Sequence, residues 1–170
     1  METHRTYLGL GTNLGDRSQH LSHALQALQQ QVGTCLHQSS VYVSAPWGLS
    51  DQPDFYNQVA LFATSLSPED LLQVILRIEK EMGRVRETKW GQRLIDIDIL
   101  FYDDLIINRP NLTIPHPFIH ERNFVLIPLL ELAAGYQHPV LQRSIASLAQ
   151  LSKDPLPVQP LPDTMLPERR

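Results

Sequence analysis

An α+β fold built on an antiparallel sheet is predicted by three features of the sequence. Two amphipathic helical segments alternate with strand-like segments in the order β-α-β-β-α-β. The last of these strands alternates strictly from residue 94 onward, with isoleucines on one face and Asp96 and Asp98 on the other. The length of 170 residues and the apolar content of 42% fit one hydrophobic core. A single domain is therefore expected over residues 1–154.

The first predicted strand runs into a helix. Residues 6–10 are apolar or small, and the glycine-rich run that continues from them indicates a tight turn fixed by Asn13. A lone Gly-x-Gly is also a weak indication of phosphate binding, but no Gly-Lys-Ser/Thr follows it, so a Walker loop is excluded. Asp16 or Ser18 is the expected N-cap of the helix, and Gly33 is expected to end it.

Two more strands and a second helix lead to the alternating strand. Residues 36–44 and 55–64 carry the β-branched and aromatic residues typical of strands. The proline-containing loop between them, 45–54, is of a kind that carries function on a rigid scaffold. A Ser-Pro start with an acid three residues after the serine predicts a helix over 68–82. The resulting order is that of the ferredoxin-like fold, whose helices cover one sheet face and leave the other open as an active-site valley.

Beyond residue 104 the periodicity is weaker. Residues 105–107 are a short candidate hairpin partner for the preceding strand, and residues 124–134 and 144–151 are predicted to be helical. Residues 155–170 contain five prolines, and their apolar residues show no helical or strand periodicity. The segment 155–170 is therefore predicted to be a proline-rich, flexible tail.

The composition excludes several classes of protein. The net charge of −4 argues against non-specific nucleic-acid binding, which needs a basic surface. Cys35 is the only cysteine, so no internal disulfide can form and a reducing compartment is expected. We find neither a signal-peptide pattern nor an apolar run long enough to span a bilayer. A cytoplasmic monomer is expected, with neither nucleic acid nor membrane as a partner.

The paired acids of the last strand indicate metal and phosphate chemistry. Side chains two residues apart on a strand share a face and stand roughly 7 Å apart, so Asp96 and Asp98 could hold one or two divalent cations. A solvated sheet edge is the other explanation for two acids on a strand. Four cations just upstream favour a polyphosphate ligand beside the acids. They are Arg84, Arg86, Lys89 and Arg93.

Five motifs closely resemble the 6-hydroxymethyl-7,8-dihydropterin pyrophosphokinase family of folate biosynthesis. The motifs are Arg84-Val85-Arg86, Trp90-Gly91-Gln92-Arg93, Asp96-Ile97-Asp98, Asp51-Gln52-Pro53-Asp54-Phe55-Tyr56-Asn57 and Ile114-Pro115-His116-Pro117. The resemblance covers about residues 6–151, and the Arg-x-x-Asp-Ile-Asp motif is specific to that family. It implies an enzyme in which ATP donates its β,γ-pyrophosphoryl group to the pterin hydroxymethyl oxygen and leaves as AMP.

The resemblance also implies roles for individual residues. Asp96 and Asp98 match the ligands of two Mg²⁺ ions that bridge the phosphates and the pterin hydroxyl. The cations that match catalytic phosphate-binding or loop-closing positions are Arg84, Arg86, Lys89 and Arg93. The residues that match the ATP site are Glu79, Arg84, Trp90, Arg93, Ile99, Thr113, His116 and Arg122. The residues that match the pterin site are Ser44, Ala45, Pro46, Trp47, Phe55, Asn57, Asp96 and Phe124.

Four positions depart from the family pattern, namely Ala45, Lys89, Gln92 and Pro117, and two of them lie in the segment just before the paired acids. Gln92 stands where the family usually has proline, so the entry to the strand is expected to be less rigid. Lys89 stands where arginine is common before Trp90. A lysine offers phosphate a point charge, whereas an arginine offers a bidentate fork. Neither departure touches the pair of acids.

Two other functions fit the same order of elements. An RNA-binding module places aromatic side chains on the open face of such a sheet. Here the first strand offers only Tyr7, and the fourth presents carboxylates that repel phosphates unless a metal is bound. A small-ligand sensor without catalysis is the second alternative. Thermal stabilisation by ATP plus pterin that depends on Mg²⁺ would favour the enzyme over both.

Substitution of Arg93 by alanine is expected to slow the chemical step more than it weakens pterin binding. The resemblance directs this cation at the phosphates, which carry the charge that develops during transfer. The test compares the single-turnover rate of Arg93→Ala with its Kd for the pterin. A defect confined to pterin affinity would contradict the expectation.

Overall fold

The computed structural model describes residues 2–46, 51–83 and 94–162. Its strands are β1 (His4–Thr12), β2 (Gly33–Gln38), β3 (Tyr42–Ser44), β4 (Phe55–Thr64), β5 (Asp96–Tyr102), β6 (Ile107–Arg109), β7 (Leu112–Ile114) and β8 (Val158–Pro160). Its helices are α1 (Arg17–Gln31), α2 (Pro68–Glu81), α3 (Asn123–Ala133) and α4 (Ile145–Leu151), with a 3₁₀ turn at Ile119–Glu121. None of the helices in these three ranges is long and apolar enough to cross a bilayer.

Six strands form the main sheet, in the order β5-β1-β4-β3-β8, with β2 also paired to β4. All of these pairings are antiparallel. If β2 and β3 are taken as one interrupted strand, the central order is that of the ferredoxin-like fold, so the predicted fold class is confirmed. Strands β6 and β7 form a separate two-stranded antiparallel sheet. The predicted hairpin partner 105–107 does not pair with β5, because the chain turns away at Asp103, whose φ is 47°.

The predicted second strand is interrupted at residues 39–41. Ser39 is buried there, and its backbone N–H donates to the carbonyl of Val59 at 2.8 Å while its hydroxyl accepts from the N–H of Val59 at 3.0 Å. The side chain of Gln58 donates to the carbonyl of Ser39 at 2.8 Å. These bonds satisfy the backbone where the regular ladder stops. The chain therefore kinks, and β3 is redirected to pair with the first residues of β4.

The main core lies between helices α1 and α2 and one face of the sheet. The side chain of Asp16 caps α1 by accepting from the N–H of Gln19. In the same way Ser67 caps α2 by accepting from the N–H of Asp70. The buried stripe of α1 is Leu21, Ala24, Leu25 and Leu28. Both predicted helices are confirmed, and the capping residues explain where each begins.

A β-bulge in β5 divides its side chains between two cores. Tyr7 of β1 pairs with Phe101, but Leu8 pairs with Ile99, so Leu100 is the extra residue. The isoleucines before the bulge pack in the main core, as predicted. After it, Phe101 joins Leu100 on the opposite face, and the next residue returns to the main core. The predicted alternation is therefore confirmed as far as Leu100 and wrong for Phe101 and Tyr102.

Helices α3 and α4 cover part of the face that was expected to be open. They pack against Leu100 and Phe101 of β5 and Val59 of β4 to form a second core. The acids lie beyond this core, where Asp96 is half-buried and Asp98 is exposed. The open valley is thus confined to the end of the sheet that carries the two acids.

The C-terminal segment is an ordered part of the sheet. Strand β8 pairs with β3, and Val158 lies opposite Ser44. Leu161 is buried in the main core, and its N–H donates to the carbonyl of Val41 at 2.8 Å. The prediction of a flexible tail from residue 155 is therefore wrong over β8 and Leu161, because a sheet edge accepts proline where no N–H is needed. Residues 163–170 lie outside the described residues, and the boundary at residue 154 stays a prediction.

The glycine that begins β2 is expected to be essential for stability. A Cβ atom at Gly33 would lie 2.0 Å from the carbonyl oxygen of Ala63, which belongs to the sheet backbone. Gly33→Ala is therefore expected to lower the free energy of unfolding by about 2–3 kcal/mol, as measured by urea unfolding. The matched control is Gly135→Ala, where no atom lies within 4 Å of the added Cβ and a change below about 0.5 kcal/mol is expected. Equal stability of the two variants would contradict the expectation.

Candidate active site

Two glycines of β1 form the floor of the valley. Gly11 lies opposite Asp96 of β5 on one side and Asn57 of β4 on the other, and Gly9 lies opposite Asp98. A Cβ atom at Gly11 would come within 3.4 Å of the Asn57 side-chain oxygen. Because Gly11 has no side chain, the backbone of β1 places no side chain between Asp96 and Asn57, whereas the side chain of Leu100 lies over Gly9. The sequence prediction ended the first strand at residue 10 and placed Gly11 in the turn that follows, but Gly11 lies within β1.

The two acids flank a backbone group that is tied to α2. The side chain of Ile97 points into the main core, so Asp96 and Asp98 point to the opposite face. The N–H of Ile97 donates to a carboxylate oxygen of Glu79 at 2.9 Å. Only 5% of Glu79 is exposed. A buried carboxylate therefore fixes the strand at the residue between the two acids.

An arginine lies across the valley from the acids. The Cζ atom of Arg122, which immediately precedes α3, lies 5.0 Å from the ring centroid of Phe118 and 5.6 Å from that of Phe124. Burial lowers the pKa of Arg122, and the carboxylates of Asp98 and Asp96 act in the opposite direction. This guanidinium is therefore within electrostatic reach of both acids and is held over aromatic rings.

His116 is a neutral hydrogen-bond donor at neutral pH. Its backbone N–H donates to the carbonyl of Leu100 at 3.0 Å, which ties it to the edge of β5. Its Nδ1 atom accepts from the N–H of Phe118 at 3.2 Å, so the ring proton of the neutral form is on Nε2. Burial and the charge of Arg122 lower the pKa of His116 to about 4. The Nε2–H group is thus available to an anionic ligand.

A polar and aromatic pocket lies on the other side of the floor. The amide nitrogen of Asn57 donates to the hydroxyl of Ser44 at 2.8 Å, and both side chains are buried. Phe55 at the start of β4 is half-buried, and so is Phe124 on α3. Ring faces combined with fixed amide and hydroxyl groups are what a planar heterocycle needs for binding.

The acids suit a magnesium site that is completed by phosphates. Within the described ranges, no three His, Cys, Asp or Glu side chains form a group that could hold a metal on their own. Mg²⁺ is usually bound by one or two carboxylates together with water and substrate phosphates. Asp96 and Asp98, on one face and accessible from the valley, supply such a pair. The donor set therefore fits Mg²⁺ brought in with a nucleotide.

A family model described as 7,8-dihydro-6-hydroxymethylpterin-pyrophosphokinase matches residues 7–134. The match spans most of the chain and includes both acids, His116, Arg122 and the pocket residues of β3 and β4. The chain belongs to this family. The resemblance inferred from its motifs is thereby confirmed.

Relatives in the pyrophosphokinase family differ in length. The 2-amino-4-hydroxy-6-hydroxymethyldihydropteridine pyrophosphokinase of Haemophilus influenzae is 48% identical over 134 residues, covering 78% of this chain and 84% of the relative. The Folic acid synthesis protein fol1 of Pneumocystis carinii is 44% identical over 147 residues, but 86% of this chain spans only 20% of that protein. A crystal structure of wild-type Plasmodium falciparum HPPK-DHPS with pteroate has a TM-score of 0.73 at 19% identity, over 88% of this chain and 42% of that one. The match to the Plasmodium falciparum structure shows that the two folds are alike.

The structure brings some of the residues expected from the pyrophosphokinase family together and leaves others apart. Ile99 packs its side chain in the main core, so only its backbone can reach a ligand. Thr113 is exposed on β7, and Ala45 and Pro46 are half-buried after β3. Six expected residues lie outside the described ranges and their places stay predictions. They are Trp47, Arg84, Arg86, Lys89, Trp90 and Arg93.

Sequence reasoning missed the contacts that anchor the loop before Phe55. The side chain of Asn13 donates to Gln52 Oε1 at 2.8 Å and to the Pro53 carbonyl at 3.2 Å. Arg17 donates to the carbonyl of Asp54 at 2.7 Å. A signal was present in the sequence, because a cation at the first position of a helix opposes the helix dipole and needs another partner.

The lowered pKa of His116 predicts a loss of stability in acid. An unfolded histidine takes up a proton below about pH 6.5, whereas folded His116 does so only near pH 4. Protonation of His116 therefore does not affect the free energy of unfolding above pH 6.5. As the pH falls from 6.5 toward 4, proton uptake by the unfolded chain lowers that free energy. Relative to His116→Asn, which keeps an acceptor for Phe118, the wild type should lose up to about 2 kcal/mol of unfolding free energy between about pH 7.5 and about pH 5. Urea unfolding of both proteins at each pH measures this difference, and parallel pH profiles would contradict it.

Proposed function

We propose that this chain is a Mg²⁺-dependent pyrophosphokinase of folate biosynthesis. It transfers the β,γ-pyrophosphoryl group of ATP to the hydroxymethyl oxygen of 6-hydroxymethyl-7,8-dihydropterin, giving the pterin diphosphate and AMP. One observation carries the proposal: the acids of β5 and the polar, aromatic pocket of β4 share one sheet face, with only glycine between them. That arrangement suits a phosphate donor at one end and a planar acceptor at the other.

The pterin occupies the pocket on the β4 side of the floor. Phe55 and Phe124 stack on its two faces, because offset stacking is the favoured contact for a flat heterocycle. The bond to Ser44 fixes the amide of Asn57, whose oxygen faces Gly11 and accepts from N–H groups on the pterin edge. The remaining lining residues, by the family pattern, are Ala45, Pro46, Trp47 and Asp96.

The phosphates of ATP lie between the acids and the cations across the valley. Arg122, which is within electrostatic reach of both acids, and the Nε2–H group of His116 are the proposed phosphate donors. Arginine binds phosphate oxygens bidentately, and a neutral histidine donates without adding charge. The family pattern adds Arg84 and Arg93 as catalytic cations and Arg86 and Lys89 as cations that close over the phosphates.

Asp96 and Asp98 would hold two Mg²⁺ ions when ATP is bound. The bound metal would supply charge neutralisation for the phosphates. The protein's own part is placement, since Glu79 holds the strand between the two acids and keeps their separation constant. By the family pattern, the ATP base and ribose lie near Ile99 and Thr113, and Glu79 and Trp90 also match positions of the ATP site.

Transfer is a displacement at the β-phosphorus of ATP. The hydroxymethyl oxygen forms a bond to this phosphorus as the bond from it to the bridging α,β oxygen breaks, and AMP leaves. The hydroxyl proton passes to Asp98 or to solvent. Little covalent work is left to the protein, so positioning and charge account for most of the rate. Action as a monomer in the cytoplasm is part of the proposal, and the single Cys35 is compatible with that compartment.

Incubation with ATP, Mg²⁺ and 6-hydroxymethyl-7,8-dihydropterin is expected to yield AMP and no ADP. Liquid chromatography separates the two nucleotides. Removal of Mg²⁺ should abolish both AMP formation and the thermal stabilisation by the two substrates together. Thermal stabilisation by the substrates that does not depend on Mg²⁺ and is not accompanied by turnover would instead indicate a ligand sensor. Binding of single-stranded RNA in place of the substrates would indicate an RNA-binding module.

Substitution of Asp98 by alanine is expected to abolish AMP formation while the fold persists. Loss of one metal-holding carboxylate should reduce kcat by at least about 100-fold. The matched control is Asp104→Ala, which removes an exposed acid just beyond the same strand and should leave turnover near the wild-type value. Near-normal turnover in Asp98→Ala, with an unchanged thermal unfolding midpoint, would rule out the metal assignment.

A further inference from the structure

The C-terminal segment contacts α3, the helix that carries Phe124, one of the two rings expected to stack on the pterin. One carboxylate oxygen of Asp154 accepts from the backbone N–H of Asn123 at 2.9 Å, and the other accepts from the N–H of Leu156 at 3.0 Å. The side chain of Asn123 donates to the backbone carbonyl of Asp154 at 3.3 Å. Asn123 is the first residue of α3 and lies between Arg122 and Phe124. Asp154 therefore holds α3 at the turn that faces the valley.

Asp154 supplies the cap that α3 lacks in its own sequence. Arg122 stands at the N-cap position and makes no side-chain capping bond. The first N–H groups of a helix have no partner within the helix and carry its positive end. A carboxylate from a remote segment satisfies one of these groups and interacts favourably with that end. The first turn of α3 is thus fixed by a residue some thirty positions downstream.

The same segment also holds the opposite wall of the pocket. Strand β8 pairs with β3, and Val158 lies opposite Ser44, whose hydroxyl accepts from Asn57. Burial of Leu161 anchors the end of the segment in the main core. Residues 154–161 therefore run from the first turn of α3 to β3 and join the two walls of the pocket. This connecting segment, residues 154–161, lies outside residues 7–134, over which the family model matches.

A second, independent contact holds the other end of α3. Glu131 accepts from the hydroxyl of Tyr42 and from the N–H of Ser40, the latter at 2.9 Å. The C-terminal half of α3 thus stays on the sheet without Asp154, and α3 also contributes to the second core. Loss of Asp154 would release the first turn of the helix rather than unfold the domain.

We propose that Asp154 is a positioning residue for the pterin pocket. It acts through Asn123 to set the place of Phe124 relative to Ser44, and it does not touch the substrate. The inference rests on the proposed function for its activity readouts. Arg122 lies over Phe124 but also over Phe118, which is outside α3, so it keeps one ring contact when the first turn of α3 is released. The larger effect of Asp154 is therefore expected at the pterin end of the site.

Steady-state kinetics of Asp154→Ala test this assignment. The KM for the pterin should rise about tenfold, whereas kcat and the KM for ATP should change by less than about twofold. Asp154→Asn retains one acceptor oxygen and should recover much of the pterin KM. The matched control is Lys153→Ala, which removes an exposed neighbouring side chain and should match the wild type. An unchanged pterin KM in Asp154→Ala would overturn the proposal. So would a fall in kcat accompanied by equal rises in the KM values for the pterin and for ATP.

Two measurements separate this proposal from the proposed enzyme activity. Amide hydrogen exchange at the first turn of α3 should become faster in Asp154→Ala and remain unchanged around Glu131. Calorimetric titration with the pterin should show about tenfold weaker binding, whether or not AMP is formed. Unchanged exchange at that turn would overturn the positioning role in an active enzyme. Weakened pterin binding in a chain that makes no AMP would support the positioning role and refute only the proposed reaction.

Discussion

The pairing of β1 with both β4 and β5 is the constraint on which the rest of the structure depends. Because its register sets Gly11 between Asp96 and Asn57, the acids and the pocket share one face at a fixed separation. Leu8 and Leu10 of the same strand point the other way into the main core. The strand therefore anchors the fold with one face and spaces the site with the other. A shift in register of one residue would exchange those two sets of side chains.

The electrostatics of the valley follow from what surrounds each charge. Two carboxylates on one strand face repel each other, and the structure sets a half-buried arginine across from them. His116 adds a donor without a second charge, since burial keeps it neutral at physiological pH. The valley therefore combines metal-binding acids with phosphate-binding donors. Their alignment depends on buried neighbours such as Glu79, which accepts from the backbone N–H of Ile97.

Local patterns in the sequence predicted the features that depend on neighbouring residues. Capping residues located both long helices, and alternation placed the two acids on the valley face. The bulge at Leu100 could not be predicted in this way, because it is set by the register with β1, some ninety residues away. The cap on α3 escaped prediction for the same reason, since Asp154 is far from Asn123 in the chain. The pocket residues were named only through family motifs, as an isolated Phe or Asn carries no sign of its role.

The last strand has a consequence for how copies of this chain behave toward one another. Without β8, the outer edge of β3 would present unpaired N–H and C=O groups, which are a template for pairing with another chain. Strand β8 covers that edge and is a poor template itself, because it has only three residues and ends in Pro160. The sheet is thereby closed to further strands on this side. A segment with the composition of a disordered tail thus protects the protein against edge-to-edge aggregation.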